Sequence, residues 1–149
     1  MTLHTVLLAL GQGDTDRIDS LTETVAEIAG PADATVVLGH VFTSEEYGDV
    51  KDKLSISADA EVTADDVAGR YNTVREVADR LDDAGVDYEV RGRVGDYGDE
   101  IVDLAEEETA DLVVVGGRQR SPTGKAVFGS TAQAVMLNAP CPVTFVRAD

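Results

Sequence analysis

Residues 116–131 read Gly-Gly-Arg-Gln-Arg-Ser-Pro-Thr-Gly-Lys-Ala-Val-Phe-Gly-Ser-Thr. These residue types suit the binding of an anion. Gly129, Ser130 and Thr131 stand immediately before a helical pattern, where free backbone N–H groups and the positive end of the helix dipole favour negative charge. The hydroxyls of Ser130, Thr131 and Ser121 add donors, and Arg118, Arg120 and Lys125 add charge. The plainer reading of the same residues is that Ser130 caps the helix and Gly129 makes the turn.

Two familiar phosphate motifs do not account for the segment. Gly124-Lys125 is followed by Ala126, and position 119 is Gln rather than Gly. A P-loop needs Gly-x-x-x-x-Gly-Lys-Ser/Thr, so it fails at both ends. Gly11-x-Gly13 follows a strand pattern, but Asp16 stands where a dinucleotide fingerprint has its third glycine, and Asp14 adds a second acid. No His, Cys and Asp spacing marks a zinc site. Cys141, between two prolines at the start of a strand, reads as packing rather than redox chemistry. His40 reads as a structural histidine, because no serine and aspartate accompany it in a catalytic pattern. Glu106-Glu107-Glu108 reads as a solvated helix end that opposes the helix dipole.

The charge around this segment is uneven. The 149 residues carry 29 Asp+Glu against 12 Lys+Arg, for a net −17. Yet no acid falls between 112 and 148, a stretch that holds Arg118, Arg120, Lys125 and Arg147. Buried strand and interface explain 132–146 but not the polar, glycine-rich 117–125, and there an anion pocket is the sharper reading. The acidic balance argues against nucleic acid and anionic membrane as partners. Its poverty in lysine suggests a halophilic host. One cysteine allows no internal disulfide, and no apolar run reaches the ~18 residues of a membrane span. With no signal-peptide pattern at the start, the expectation is a cytoplasmic protein.

The elements that position these residues follow from periodicity. Thr5 to Leu10 is a continuous apolar run, a strand buried on both faces. Ile18, Leu21, Val25 and Ile28 form a helical stripe that stops at Gly30-Pro31. Residues 34–41 are a second buried strand. Val67, Tyr71, Val74, Val77 and Leu81 form one further stripe, closed by Gly85. Residues 86–94 alternate, as an edge strand with one wet face does. Ile101, Leu104 and Ala105 mark a third helix, 111–116 a fourth strand, 130–138 a fourth helix and 141–146 a last strand. Residues 43–63 are one long connection, expected as a lid, an insertion or a surface segment, with Tyr47, Leu54 and Ile56 as anchors.

Strict alternation of strand and helix predicts a single α/β domain over 1–149, a doubly wound, Rossmann-like parallel sheet with helices on both faces. Such sheets bind ligands outside the carboxyl ends of the strands, where strand order reverses. In the order 3-2-1-4-5 that reversal lies between strands 1 and 4. The Gly11–Asp14 turn and the loop from Gly116 onward then meet in one crevice.

The chain resembles the universal stress proteins. Their signature is Gly-x-x-Gly, nine residues, then Gly-Ser/Thr. Here Gly116-Gly-Arg-Gln119, nine residues, then Gly129-Ser130 match it at three of four marked places. The ending Asn138-Ala-Pro-Cys-Pro-Val-Thr-Phe-Val146 is similar to the family's closing strand. So is the passage from Val94-Gly-Asp-Tyr-Gly to Ala110-Asp-Leu-Val-Val-Val-Gly-Gly.

The resemblance implies a five-stranded sheet of order 3-2-1-4-5 and a homodimer joined through the C-terminal strand, which the apolar Val143 to Val146 suits. In the ATP-binding branch it implies phosphate contacts at Gly116, Gly117, Arg118, Arg120, Ser121, Lys125, Gly129, Ser130 and Thr131. It also implies nucleoside contacts from the backbone at His40 and Val41, and from an Asp just after strand 1. That Asp aligns with Gly11, and Asp14 replaces it only if the loop folds back. Gln119 at the second glycine makes the motif degenerate. The implied ligand is ATP or another adenine nucleotide, with Mg²⁺ as its companion, and the implied role is regulatory rather than enzymatic, weak ATP hydrolysis aside. The alternative is the branch that binds no nucleotide and acts as a dimeric interaction or chaperone-like module.

Overall fold

The computed structural model describes residues 2–57, 59–118 and 130–148. Strands β1 (Thr5–Leu10), β2 (Thr35–Phe42), β3 (Tyr88–Val94), β4 (Leu112–Arg118) and β5 (Val143–Ala148) form a parallel sheet of order β3-β2-β1-β4-β5. Fold class and strand order are as expected. The central register pairs Leu10 with His40 and Leu8 with Val114.

Helices α1 (Ile18–Ala32) and α4 (Asn72–Asp83) cover one face, and α5 (Tyr97–Glu107) and α6 (Ser130–Asn138) cover the other. The period-two alternation of strands divides the core between them. Val6, Leu8, Leu10, Val36 and Leu38 meet Leu21, Val25, Val77 and Leu81. Leu7, Ala9, Val37, Val113 and Val115 meet Ile101, Leu104 and Val135. Each such large side chain, fully buried, stabilises the fold by about 1.5–3 kcal/mol. Gly39 lets α5 come close: a Cβ there would lie 2.5 Å from Leu104 Cδ2.

Three local expectations are corrected. The 43–63 connection carries a helix that periodicity did not show, α2 (Ser44–Lys53). Thr43 and Glu46 close a capping box, with Thr43 N donating to Glu46 Oε1 at 3.0 Å and Glu46 N to Thr43 Oγ1 at 3.1 Å. Tyr47, Leu54 and Ile56 anchor the segment on Phe42, Val50, Val67 and Ala68.

The stripe from Val67 to Leu81 is two helices, α3 (Ala64–Arg70) and α4, separated by an extended Tyr71 (φ −75°, ψ 133°). Apolar spacing runs on unbroken because both helices bury residues against the same face of the sheet. The break lets α3 lie along β3, where Asp65 Oδ1 accepts from Gly92 N at 2.7 Å.

Helix α1 runs past Gly30-Pro31 to Ala32. Asp33 (φ 54°) ends it in the left-handed region, and the Asp33 and Ala34 N–H groups return to the Gly30 and Ala29 carbonyls. Proline in the last turn thus marks the approach of the end rather than the end itself.

The acids at the end of α5 also gain a role. Glu107 pairs with Arg93 at 2.5 Å and Glu108 with Arg91 at 2.7 Å, so they tie the helix to the wet face of β3.

Candidate functional site

Strand β1 delivers Gly11 in an extended conformation (φ −146°, ψ 179°), and a 3₁₀ turn over Gln12–Arg17 follows. The turn folds back. Asp14 N donates to Gly11 O at 3.0 Å, while Gly11 N donates to Asp14 Oδ2 at 2.8 Å. Asp14 is thereby buried at 4% exposure, and Arg17 Nε donates to its other oxygen at 2.7 Å. Burial pushes the Asp14 carboxyl above its ordinary value. Arg17 and the Gly11 N–H pull the other way without cancelling that rise.

Arg17 lies across the end of β4. A Cβ on Gly116 would sit 2.9 Å from Arg17 Cδ and 3.1 Å from Nε, so only glycine leaves that path open. On the other side, Tyr97 opens α5 with its hydroxyl donating to Ala9 O at 3.2 Å. Its ring leans on Gly11, where a Cβ would be 3.0 Å from the ring carbons. Burial raises the Tyr97 phenol pKa, and the nearby Asp14 charge raises it further.

Between these walls is a cavity of about 220 Å³ at the carboxyl ends of the strands. Gly11, Asp14, Arg17 and Gly116 line it where β1 and β4 diverge. Val41, Thr43 and Glu46 close it from the end of β2 and the start of α2, with Gly95 and Tyr97 beyond. The arrangement has the form of a ligand crevice at a topological switch point.

The expected site residues divide in the structure. Gly11, Asp14, Val41 and Gly116 come together around the cavity. The folding back on which the Asp14 assignment depends is present. His40 does not join them. Its side chain leaves β2 on the face opposite to Val41 and is buried at 1% exposure, with ring centroids 4.5 Å from Phe42 and 4.9 Å from Tyr71. Strand alternation is the reason, and it leaves the backbone at His40 as the part expected at the ligand. Nδ1 of His40 has no hydrogen-bond partner among the described residues, and burial lowers its pKa to about 4.

Gly117 also faces elsewhere: a Cβ there would be 2.8 Å from the Phe145 ring. Arg118 ends β4, and Ser130 and Thr131 open α6. Arg120, Ser121, Lys125 and Gly129 lie outside the described residues, as does Gln119. Among the described residues, no group of three or more His, Cys, Asp or Glu is placed to hold a metal ion. No helix among them is long and apolar enough to cross a membrane.

Arg17, Thr43, Glu46 and Tyr97 are site residues that periodicity did not single out. Three had a local signal: Arg17 in the Asp14-x-x-Arg17 spacing of an ion pair, and Thr43 and Glu46 in the spacing of a capping box. Tyr97 had none, because its contact with Gly11 joins residues far apart in the chain.

The model of the Universal stress protein family matches residues 2–147. The chain belongs to the universal stress protein family. A universal stress protein of Mycolicibacterium smegmatis is 39% identical over 79 residues, which cover 52% of this chain and 61% of that relative. The chain therefore spans under two thirds of that relative's length.

Among solved structures, a universal stress protein in complex with cAMP superposes with a TM-score of 0.70 at 24% identity, covering 100% of both chains. The universal stress protein from Archaeoglobus fulgidus gives 0.69 at 26% identity, over 99% of this chain and 100% of that one. Two further universal stress proteins share the fold, at 22% and 19% identity: one from Archaeoglobus fulgidus in complex with dAMP and one from Arabidopsis thaliana with AMP bound.

Proposed function

We propose that this universal stress protein is a stress-response regulatory module that binds ATP or a related adenine nucleotide, works as a homodimer and is not an enzyme. The observation that carries the reading is the cavity at the reversal of strand order, floored by glycine at both Gly11 and Gly116. Adenine nucleotides in other members of the fold support it: cAMP, dAMP and AMP each occupy one.

At about 220 Å³ the described cavity is below the ~300–1,000 Å³ typical of whole-ligand sites. It suits the nucleoside portion. The phosphates then extend past Gly116, the end of the cavity nearest to β4, and the expected phosphate contacts from Arg118 onward follow it in sequence. Any Mg²⁺ arrives with those phosphates.

One observation favours the second reading, a dimeric interaction or chaperone-like module that binds no nucleotide. The Tyr97 ring fills the space beside Gly11 that a carboxylate at that position would need.

Calorimetric titration in multi-molar KCl with ATP, ADP, AMP and adenosine separates the two. The first reading expects saturable heat that Gly129→Trp abolishes for the phosphorylated ligands. No heat with any of the four, from folded protein, gives the second reading.

A further inference from the structure

Arg17 is the one basic side chain among the described residues lining the cavity. It comes from the turn after β1, not from the glycine-rich segment after β4. We infer that Arg17 is a phosphate-binding residue of this site, held in place by Asp14, so that the pocket discriminates a nucleotide from its nucleoside. This deepens the proposed function and rests on it.

The argument is geometric. A guanidinium has five N–H donors, one on Nε and four on the terminal nitrogens. Nε is engaged side-on by Asp14 Oδ1 at 2.7 Å, which fixes the plane of the group. The terminal fork is not part of that pair. Nη2 lies on the Gly13 side of the cavity, 3.4 Å from where a Cβ of residue 13 would be. Glycine at 116 leaves room for the side chain to cross between the ends of β1 and β4, at 18% exposure.

The two carboxylates that line the cavity each have a partner already. Asp14 takes the Gly11 N–H and Arg17, and Glu46 takes the Thr43 N–H. Among the described residues, the guanidinium fork is thus the cationic group presented to a ligand, in a shape that matches phosphate oxygens. A surface ion pair alone gains little and explains neither the burial of Asp14 nor the glycine at 116. A pair that orients a binding group explains both.

The test is the affinity of AMP relative to adenosine, measured by calorimetry in KCl for four proteins. In the parent protein AMP binds more tightly than adenosine. Arg17→Gln cuts that advantage about tenfold or more, the loss expected for one charged hydrogen-bonding group. Arg17→Lys restores part of it. Asp14→Asn, which keeps the guanidinium but weakens its hold, gives a smaller loss of the AMP advantage.

If Arg17→Gln binds AMP as the parent does, or loses AMP and adenosine in equal proportion, the phosphate role of Arg17 falls and the nucleotide reading stands. If the folded parent binds neither ligand, both fall together. Far-UV circular dichroism confirms that each variant is folded before titration.

Discussion

The two edges of the sheet are built differently. On β3, helix α3 lies along the strand, and Asp65 takes the outward Gly92 N–H at 2.7 Å. The approach is close enough that a Cβ on Gly92 would be 2.0 Å from the Ala64 carbonyl oxygen. Arg91 and Arg93 then fasten the strand to Glu108, just past the end of α5, and to Glu107 within it. On β5 the neighbour is β4 alone among the described strands, and Val143, Thr144 and Phe145 are half-buried. An uncovered strand edge is a template for pairing, and proteins cover or charge the edges that must stay single. One edge here has a cover of backbone, helix and charge, whereas the described elements leave the other open. The contrast supports the proposed dimer through β5 and assigns to β3 the task of staying unpaired.

The strongest way to break the contrast is Gly92→Ala. The new methyl meets backbone rather than a flexible side chain, so α3 must lift from the strand. We expect a loss of about 4 kcal/mol or more in denaturant unfolding, with aggregation through the exposed β3 edge.

Acid is the next strongest. His40 sits beneath the same cover, against Phe42 and Tyr71, and its pKa falls from 6.5 to about 4 on burial. The folded state binds the proton less well than the unfolded one. Stability is therefore full above pH 6.5 and falls progressively as pH drops toward about 4. By pH 4 the loss assigned to this group is about 3 kcal/mol. Urea unfolding of the parent and of His40→Leu across that range isolates it: the difference between them should depend on pH with that sign and vanish if His40 is not the sensor.

How much of this was legible in the sequence differs between strand and turn. Sheet order, edge character of 86–94 and the helix at 130–138 follow from apolar periodicity and the family motifs. Positions 5–10 are apolar because both faces of β1 are covered. The two helices within 43–70 were harder to see. They bury few residues and announce themselves by caps, Thr43-x-x-Glu46 and Thr63-x-x-Asp66, that periodicity does not weigh. At the site, Gly116 and Val41 were legible from motif and strand end. Reading the His40 side chain as structural fits its burial on the opposite face, which one residue of register decides. Arg17 had only its spacing from Asp14 as a local signal, and Tyr97 meets Gly11 from a distant part of the chain, a contact that tertiary packing alone determines.

The open edge is tested by charge. Thr144→Asp places a carboxylate on β5, where a symmetric partner would bring its copy close. We expect the dimer dissociation constant to rise about tenfold or more, or ~1.4 kcal/mol, by sedimentation at several protein concentrations, with thermal stability of the monomer little changed. A parent that sediments as a monomer at every concentration removes the dimer and with it the functional meaning of the open edge.

The smallest effect belongs to the ionic part of the β3 cover. Arg93→Gln removes the pairing to Glu107, whose side chain is 60% exposed, so solvent already weakens the attraction. A loss of about 0.2–1 kcal/mol is expected in dilute buffer. In multi-molar KCl the Debye length is ~3 Å or less, comparable to the pair distance itself, and the parent and variant should converge. If they do, the cover of β3 in a salty medium is the work of α3 and the Gly92 contact, with the arginines contributing packing along the strand. A difference that persists undiminished in KCl would instead mean that Arg93 acts chiefly through its aliphatic stem and its bond to the Gly92 carbonyl at 2.8 Å, neither of which salt screens.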